Sequence, residues 1–203
     1  LREMIHTQQI RSVQNVLDIY GNGKGCEKCK PALSYMVDVV WAGEHKEDRS
    51  ARFINDRVHA NIQNDGTFSV VPRMRGGVTT PEELRKIANV ADKYGVRMVK
   101  VTGSQRIDLL GVKKQDLPGV WADLGMPSGQ AYAKGVRMVK TCVGKEFCRF
   151  GTQNSIDTGI ELERRLENLF TPHKTKMAVV GCPRNCAEAT VKDIGLVGQE
   201  GSW

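Results

Sequence analysis

VVGCPRNCAEA, residues 179–189, places Cys182 and Cys186 four residues apart around a proline, with alanines close behind. Thirty-four residues before Cys182, TCVGKEFCRFG, residues 141–151, ends the spacing of a second pair, Cys142 and Cys148, six apart. Four thiolates on two loops make a cage. Zinc takes four sulfurs in a tetrahedron, but its cysteine pairs usually enclose about two to four residues, and five is long. An iron–sulfur cubane is wider and tolerates that spacing better. The spacing therefore favours a cubane, with zinc and plain buried cysteines as alternatives.

The residues around the cage are basic. HKTKMAVV, residues 173–180, reads as a strand running into Cys182. Lys174 and Lys176 leave one face of that strand, ahead of Ala178 and Val180, so two ammonium groups are expected beside the cage. Without the cysteines a solvated strand edge would be the plainer reading. Arg137 stands five residues before Cys142. In VPRMRGGVTT, Arg73 and Arg75 share a strand face ahead of Gly76 and Gly77, which allow a backbone to approach a bulky ligand. Arg106 lies in the strand QRIDLL. Singly, each arginine reads as a surface or ion-pair residue; with the lysines they make one basic pocket suited to a small anion.

Further out, residues 1–20 have helical spacing at Ile10, Val13, Val16 and Leu17, and a second helix is expected from Pro31 to Trp41. The polar AGEHKEDRSAR reads as a linker. HANIQ and TFSVV flank Asn64, Asp65 and Gly66 as a β-hairpin. Thr80, Pro81 and Glu83 supply N-cap, first-turn proline and capping box for a helix striped by Leu84, Ile87, Ala88, Ala91 and Tyr94, with Gly95 just past its end. VRMVKV and QRIDLL read as strands, and a short helix near Trp121 precedes the break GMPSGQ. GVRMVK occurs twice, at 95–100 and 135–140, as two similar strands in diverging surroundings. A helix over 156–170 carries Ile156, Ile160, Leu162, Leu166 and Leu169 on or near one face.

The chain has 203 residues, 40% hydrophobic and 26% charged, which suits one large or two small globular domains. No apolar run approaches the roughly 18 residues of a membrane span, and the start lacks a signal-peptide pattern. A cytoplasmic location without a membrane partner is expected. With no initiator Met and an abrupt end, the chain is expected to be a piece of something longer. A net charge of +7 asks for an anionic partner. Aromatic residues make up only 6% and no basic motif interleaves with them, so nucleic acid is not expected.

TCVGKEFCRFGTQ, TPHKTK and GCPRNCAEA together resemble the sirohaem and 4Fe-4S part of the nitrite and sulfite reductase family. NIQNDGTFSVVPRMRGGVTTPEELRKIANVADKYG and GSQRIDLLG resemble the ferredoxin-like half that precedes it, and GKGCEKCKPAL is similar to the end of a bacterioferritin-associated-ferredoxin-like 2Fe-2S domain. That order resembles the NAD(P)H-dependent nitrite-reducing members. The resemblance implies an α+β chain in four parts: a 2Fe-2S domain remnant at 1–42, a linker at 43–57, the ferredoxin-like half domain at 58–126 and a truncated sirohaem and 4Fe-4S domain at 127–203.

It also implies a reaction, the six-electron reduction of nitrite to ammonia. Cys142, Cys148, Cys182 and Cys186 would hold the cubane, Cys186 also bridging to the sirohaem iron. Arg137, Lys174 and Lys176, with Arg73 or Arg75, would bind nitrite, and Arg106 would pair a sirohaem carboxylate. Cys26 and Cys29 would be half of a 2Fe-2S site whose other ligands lie upstream. Electrons would come from NAD(P)H through FAD in parts outside this chain, since no GxGxxG turn occurs here. A small subunit of the same enzyme and a homodimer are the expected protein partners. Sulfite reduction, and a non-enzymatic zinc or electron-relay module, are the competing readings.

Overall fold

The computed structural model describes residues 1–23, 29–42, 44, 60–169 and 171–203. Cys26 and, Glu44 apart, the expected linker lie outside the described residues. The first part is helical: α1 (Arg2–Thr7), α2 (Val13–Tyr20) and α3 (Cys29–Trp41). The single helix expected over 1–20 is two. Gln9 takes a left-handed φ of 54°, and the Ser12 side chain accepts from Asn15 N at 3.1 Å to start α2 afresh. Ile5, Ile10, Val16 and Val37 close a small core between these helices.

The middle part is an antiparallel sheet with two helices: β1 (Asn61–Ile62), β2 (Phe68–Val70), α4 (Pro81–Lys93), β3 (Met98–Val101), β4 (Ile107–Val112) and α5 (Leu117–Leu124), with strand order β1-β2-β4-β3. The expected hairpin forms with Asn61 opposite Ser69. Phe68, Val70, Leu109 and Val112 from the sheet meet Ile87, Val90, Val120 and Leu124 from the helices in one buried cluster. The expected capping box is present: Glu83 N donates to Thr80 Oγ1 at 3.1 Å and Thr80 N to Glu83 Oε2 at 3.2 Å. Thr80→Ala is expected to cost about 1 kcal/mol, read as a lower urea midpoint at unchanged slope.

The last part is a parallel sheet, β5 (Val136–Thr141), β6 (Thr175–Val180) and β7 (Ile194–Val197) in that order, with α6 (Gly144–Phe147) and α7 (Ser155–Leu166). The helix expected to reach residue 170 stops at Leu166, and β7 was not expected. Leu162 and Leu166 of α7 pack on Val136, Val139, Met177 and Val179. Ala178 and Val180, alternating to the opposite face, pack with Ala187 and Ala189. The two copies of GVRMVK meet opposite fates. Met98–Val101 is an exposed outer strand, whereas Val136–Thr141 is largely buried under α7. Tertiary context overrides the shared local sequence.

Arg73 N donates to Pro127 O at 2.8 Å, and Pro72 bridges Ser128, so the two sheets are joined where the chain passes between them.

Candidate functional site

Parallel strands bring their carboxyl ends to one edge, and loops leaving that edge are where open α/β sheets build sites. The two cysteine pairs leave there. Cys142 follows the end of β5 and Cys182 stands two residues past β6, its neighbour in the sheet; Thr141 is paired with Val179. Cys142 N donates to Val179 O at 3.3 Å, and Gly181 N donates to Cys142 Sγ at 3.2 Å. The loops therefore touch through a thiol. Cys148 closes α6, its N–H on Gly144 O at 2.9 Å; Cys182 is buried and Cys186 exposed.

The backbone here is packed to the limit. An added Cβ at Gly181 would lie 2.6 Å from Gln153 O, and one at Gly151 would lie 2.6 Å from Lys145 N. Ser155, the first residue of α7, donates to Cys142 O at 2.9 Å and sits 3.1 Å from its Sγ. Burial opposes ionisation of Cys142, but hydrogen bonds from Gly181, Ser155 and Gly144 outweigh it and lower its pKa. Among the described residues no three Cys, His, Asp or Glu side chains close on a single-ion position. One zinc would draw its four sulfurs to about 3.8 Å from each other. A cubane spreads its four cysteines over separate irons and does not ask them to close on one ion.

The cations fall differently from expectation. Lys174 precedes β6 and Lys176 is its second residue, so both lie at the end away from the cysteines. Along the strand, Lys176 is about 13 Å from Val180, and Cys182 is two residues further. The expected ammonium groups beside the cage are thus displaced to the opposite end of the sheet, because both side chains leave the strand before it reaches the loops. Arg137 joins them, as β5 runs parallel and pairs Met138 with Lys176. Its Nε donates to Ala133 O at 3.2 Å, and burial lowers its pKa. Among the described residues no carboxylate pairs with Arg137, Lys174 or Lys176.

Arg73 and Arg75 are not on a strand: β2 ends at Val70, and Arg75 opens the 3-10 turn Arg75–Gly77. Both reach α7. Arg73 Nη1 donates to Glu163 Oε1 at 3.0 Å, with both side chains buried, and Arg75 grips Glu167 with two bonds of 2.9 Å. Glu167 holds Arg75 above its usual range. Gly76 and Gly77 make room for the protein's own side chains, not for a bulky ligand. An added Cβ at Gly76 would lie 2.9 Å from Ile160, and one at Gly77 2.7 Å from Gln105.

Arg106 is buried, its Nη1 donating to Gly129 O at 2.7 Å and to Arg137 O at 3.1 Å. Its Nε is a buried donor without a partner. Burial, with Arg73 and Arg137 nearby and Glu163 pulling the other way, pushes it down to about 10, so it stays charged at neutral pH. A guanidinium with one unmet N–H among the described residues, near other guanidiniums, fits an anionic group such as a macrocycle carboxylate.

Beside it, Ser69 Oγ donates to Asp108 Oδ1 at 2.6 Å and lies 2.8 Å from Tyr132 Oη. Burial raises the Asp108 pKa above its ordinary 3.8 despite these donors and Arg106 and Lys100. The folded chain then holds this proton more tightly than the unfolded one. Its contribution to stability is full below about 3.8 and is lost as pH rises through the folded value. Asp108→Asn is expected to flatten that part of the stability profile, measured by urea unfolding across the acidic range.

Sequence reasoning missed Glu163, Gln105, Ser155 and Gly181. Glu163 had a signal: it continues the stripe of Ile156 and Ile160, where a carboxylate must be buried with a cation.

Two family models match the chain: the nitrite/sulfite reductase ferredoxin-like half domain over residues 61–126, and the nitrite and sulphite reductase 4Fe-4S domain over residues 132–202. It is 60% identical over 193 residues to the NAD(P)H nitrite reductase of Bacillus subtilis (strain 168), covering 95% of this chain and 24% of that protein. An assimilatory-type sulfite reductase of Nitratidesulfovibrio vulgaris is 37% identical over 145 residues, covering 71% of this chain and 66% of that one. The solved structure of Mycobacterium tuberculosis NirA aligns with a TM-score of 0.57 at 19% identity, covering 91% of this chain and 34% of the other. The chain spans about a quarter of the length of the nitrite reductase it matches.

Proposed function

Since the chain belongs to the nitrite and sulphite reductase family, carrying its ferredoxin-like half domain and its 4Fe-4S domain in that order, we propose that it is the sirohaem-bearing part of an enzyme reducing nitrite to ammonia. The observation that carries this reading is the pair of cysteine loops leaving the carboxyl ends of adjacent parallel strands, with Gly181 N–H already on the Cys142 thiol. Cys142, Cys148, Cys182 and Cys186 would hold the 4Fe-4S cluster, and Arg106 Nε would meet a sirohaem carboxylate. When bound, the cluster and the haem supply the electrons and the metal on which nitrite is reduced.

The chain's own residues supply charge and protons. Arg137, Lys174 and Lys176, without carboxylate partners among the described residues, stand at the far end of the sheet from the cysteines, where they would draw in anionic nitrite, offset the charge of the macrocycle and relay protons as each N–O bond breaks and its oxygen leaves as water. Arg73 and Arg75, tied to Glu163 and Glu167, would shape the pocket from behind. The six electrons would come from NAD(P)H through parts of the enzyme outside this chain. Higher identity to a nitrite reductase than to a sulfite reductase supports nitrite as the substrate.

The test uses the complete enzyme. Wild type is expected to contain iron and acid-labile sulfide in cluster stoichiometry, with haem bands, and Cys186→Ser to lose both cluster signal and turnover. Lys174→Ala with Lys176→Ala is expected to slow nitrite turnover at least tenfold with unchanged cofactor spectra. A colourless wild type binding only zinc would overturn the proposal.

A further inference from the structure

Among the described residues β5 is an outer strand, and the N–H and C=O groups on its free side face no neighbouring strand. Two side chains take that strand's place. Glu163 Oε2 accepts from Val139 N at 3.1 Å. Two residues on, Gln105 Oε1 accepts from Thr141 N at 2.9 Å while Gln105 Nε2 donates to Thr141 O at 2.7 Å. A carboxamide has the donor and acceptor of a peptide group. Gln105 thus imitates one peptide of a missing strand, on the residue immediately before Cys142.

Gln105 comes from the other half of the chain. It sits in the turn between β3 and β4 with a left-handed φ of 56°, its N–H on Thr102 O at 3.1 Å. A non-glycine residue rarely adopts that conformation, and here the surroundings hold it. Gly77, itself at φ 75°, clears the path: a Cβ there would lie 2.7 Å from both Cβ and Oε1 of Gln105. Thr141 Oγ1 donates to Gly76 O at 2.6 Å, so the Arg75–Gly77 turn grips the same strand end from beside Gln105.

Cys142 hangs from the last residue of an outer strand, where fraying opens first. Its thiol accepts from Gly181 N only while that strand end stays in place. We propose that Gln105 is a positioning residue for Cys142: the ferredoxin-like half, through one carboxamide, controls how firmly the cluster ligand is held. The inference rests on the reading of Cys142 as a 4Fe-4S ligand.

The experiment compares the complete enzyme with Gln105→Leu, Gln105→Gly and Gln105→Glu. Leucine keeps bulk without the two bonds, glycine also relieves the left-handed backbone, and glutamate keeps the acceptor for Thr141 N. Two readouts are taken: bleaching of the cluster absorbance in excess iron chelator, and deuterium uptake by the peptide covering residues 136–143. Leucine and glycine are expected to bleach at least fivefold faster and to raise uptake in that peptide alone, with glutamate between them and wild type. Bleaching within twofold of wild type would overturn the proposal. So would an equal rise in uptake across β4, which marks general loosening of the ferredoxin-like half. A wild type without iron and sulfide would instead remove the cluster reading beneath it, which the variants cannot do.

Discussion

Glu163→Ala is expected to lower stability by about 3–5 kcal/mol, because it removes the hydrogen-bonded counter-charge of a buried cation and leaves only Glu167, 4.0 Å from Arg73 Nε. Glu163 is fully buried, and its two oxygens serve three donors: Arg73 Nη1 at 3.0 Å, Gly76 N at 3.1 Å and Val139 N at 3.1 Å. Alanine leaves all three unmet, a guanidinium and two peptide N–H groups, each now desolvated for nothing. Glu163→Gln keeps the shape and one carbonyl oxygen but removes the charge. A loss close to that of alanine assigns the effect to the ion pair; a loss below about 1 kcal/mol would contradict it. Combining Glu163→Leu with Arg73→Met is expected to recover part of the loss, since it removes the stranded charge. Urea unfolding followed by circular dichroism gives all three losses against wild type.

Gly181→Ala is expected to abolish cluster retention. Its Cβ would lie 2.6 Å from Gln153 O, a backbone atom that no rotamer change can move aside. Gly181 O also accepts from Thr152 N at 2.8 Å, Gln153 N at 3.1 Å and Thr152 Oγ1 at 2.8 Å, so the clash displaces a peptide bonded on both sides. Moving it takes the N–H away from the Cys142 thiol and shifts Cys182 next door. Iron and sulfide are expected near zero in the purified variant. Gly103→Ala, where an added Cβ meets nothing within 4 Å, is the control that keeps them. Full iron content in Gly181→Ala would mean that the loop can move without loosening its ligands.

The cysteines and most of the helices were legible because their signals are local. Thr80, Pro81 and Glu83 fix the start of α4 within one turn, and the alternation of Met177, Ala178, Val179 and Val180 is that of a strand buried on both faces. The direction of a parallel strand is not local. Lys174 and Lys176 lie near Cys182 in sequence, yet a strand is a rod, and six residues along it reach its far end. Arg73 and Arg75 stand two apart in sequence, but their carboxylate partners come 90 and 92 residues later. Gln105 carried no signal at all, since nothing in a sequence marks a glutamine that will copy a peptide group.

The Arg73–Glu163 pair also has a meaning in time. A chain made at about 5–20 residues per second exposes Arg73 for roughly 5–18 s before the residue 90 positions later leaves the ribosome. Until then the ferredoxin-like half carries guanidiniums with no carboxylate to receive them, and the turn that guides Gln105 has nothing to hold. The ferredoxin-like half closes its own core from residues 60–126, so what waits for α7 is the contact between the two halves.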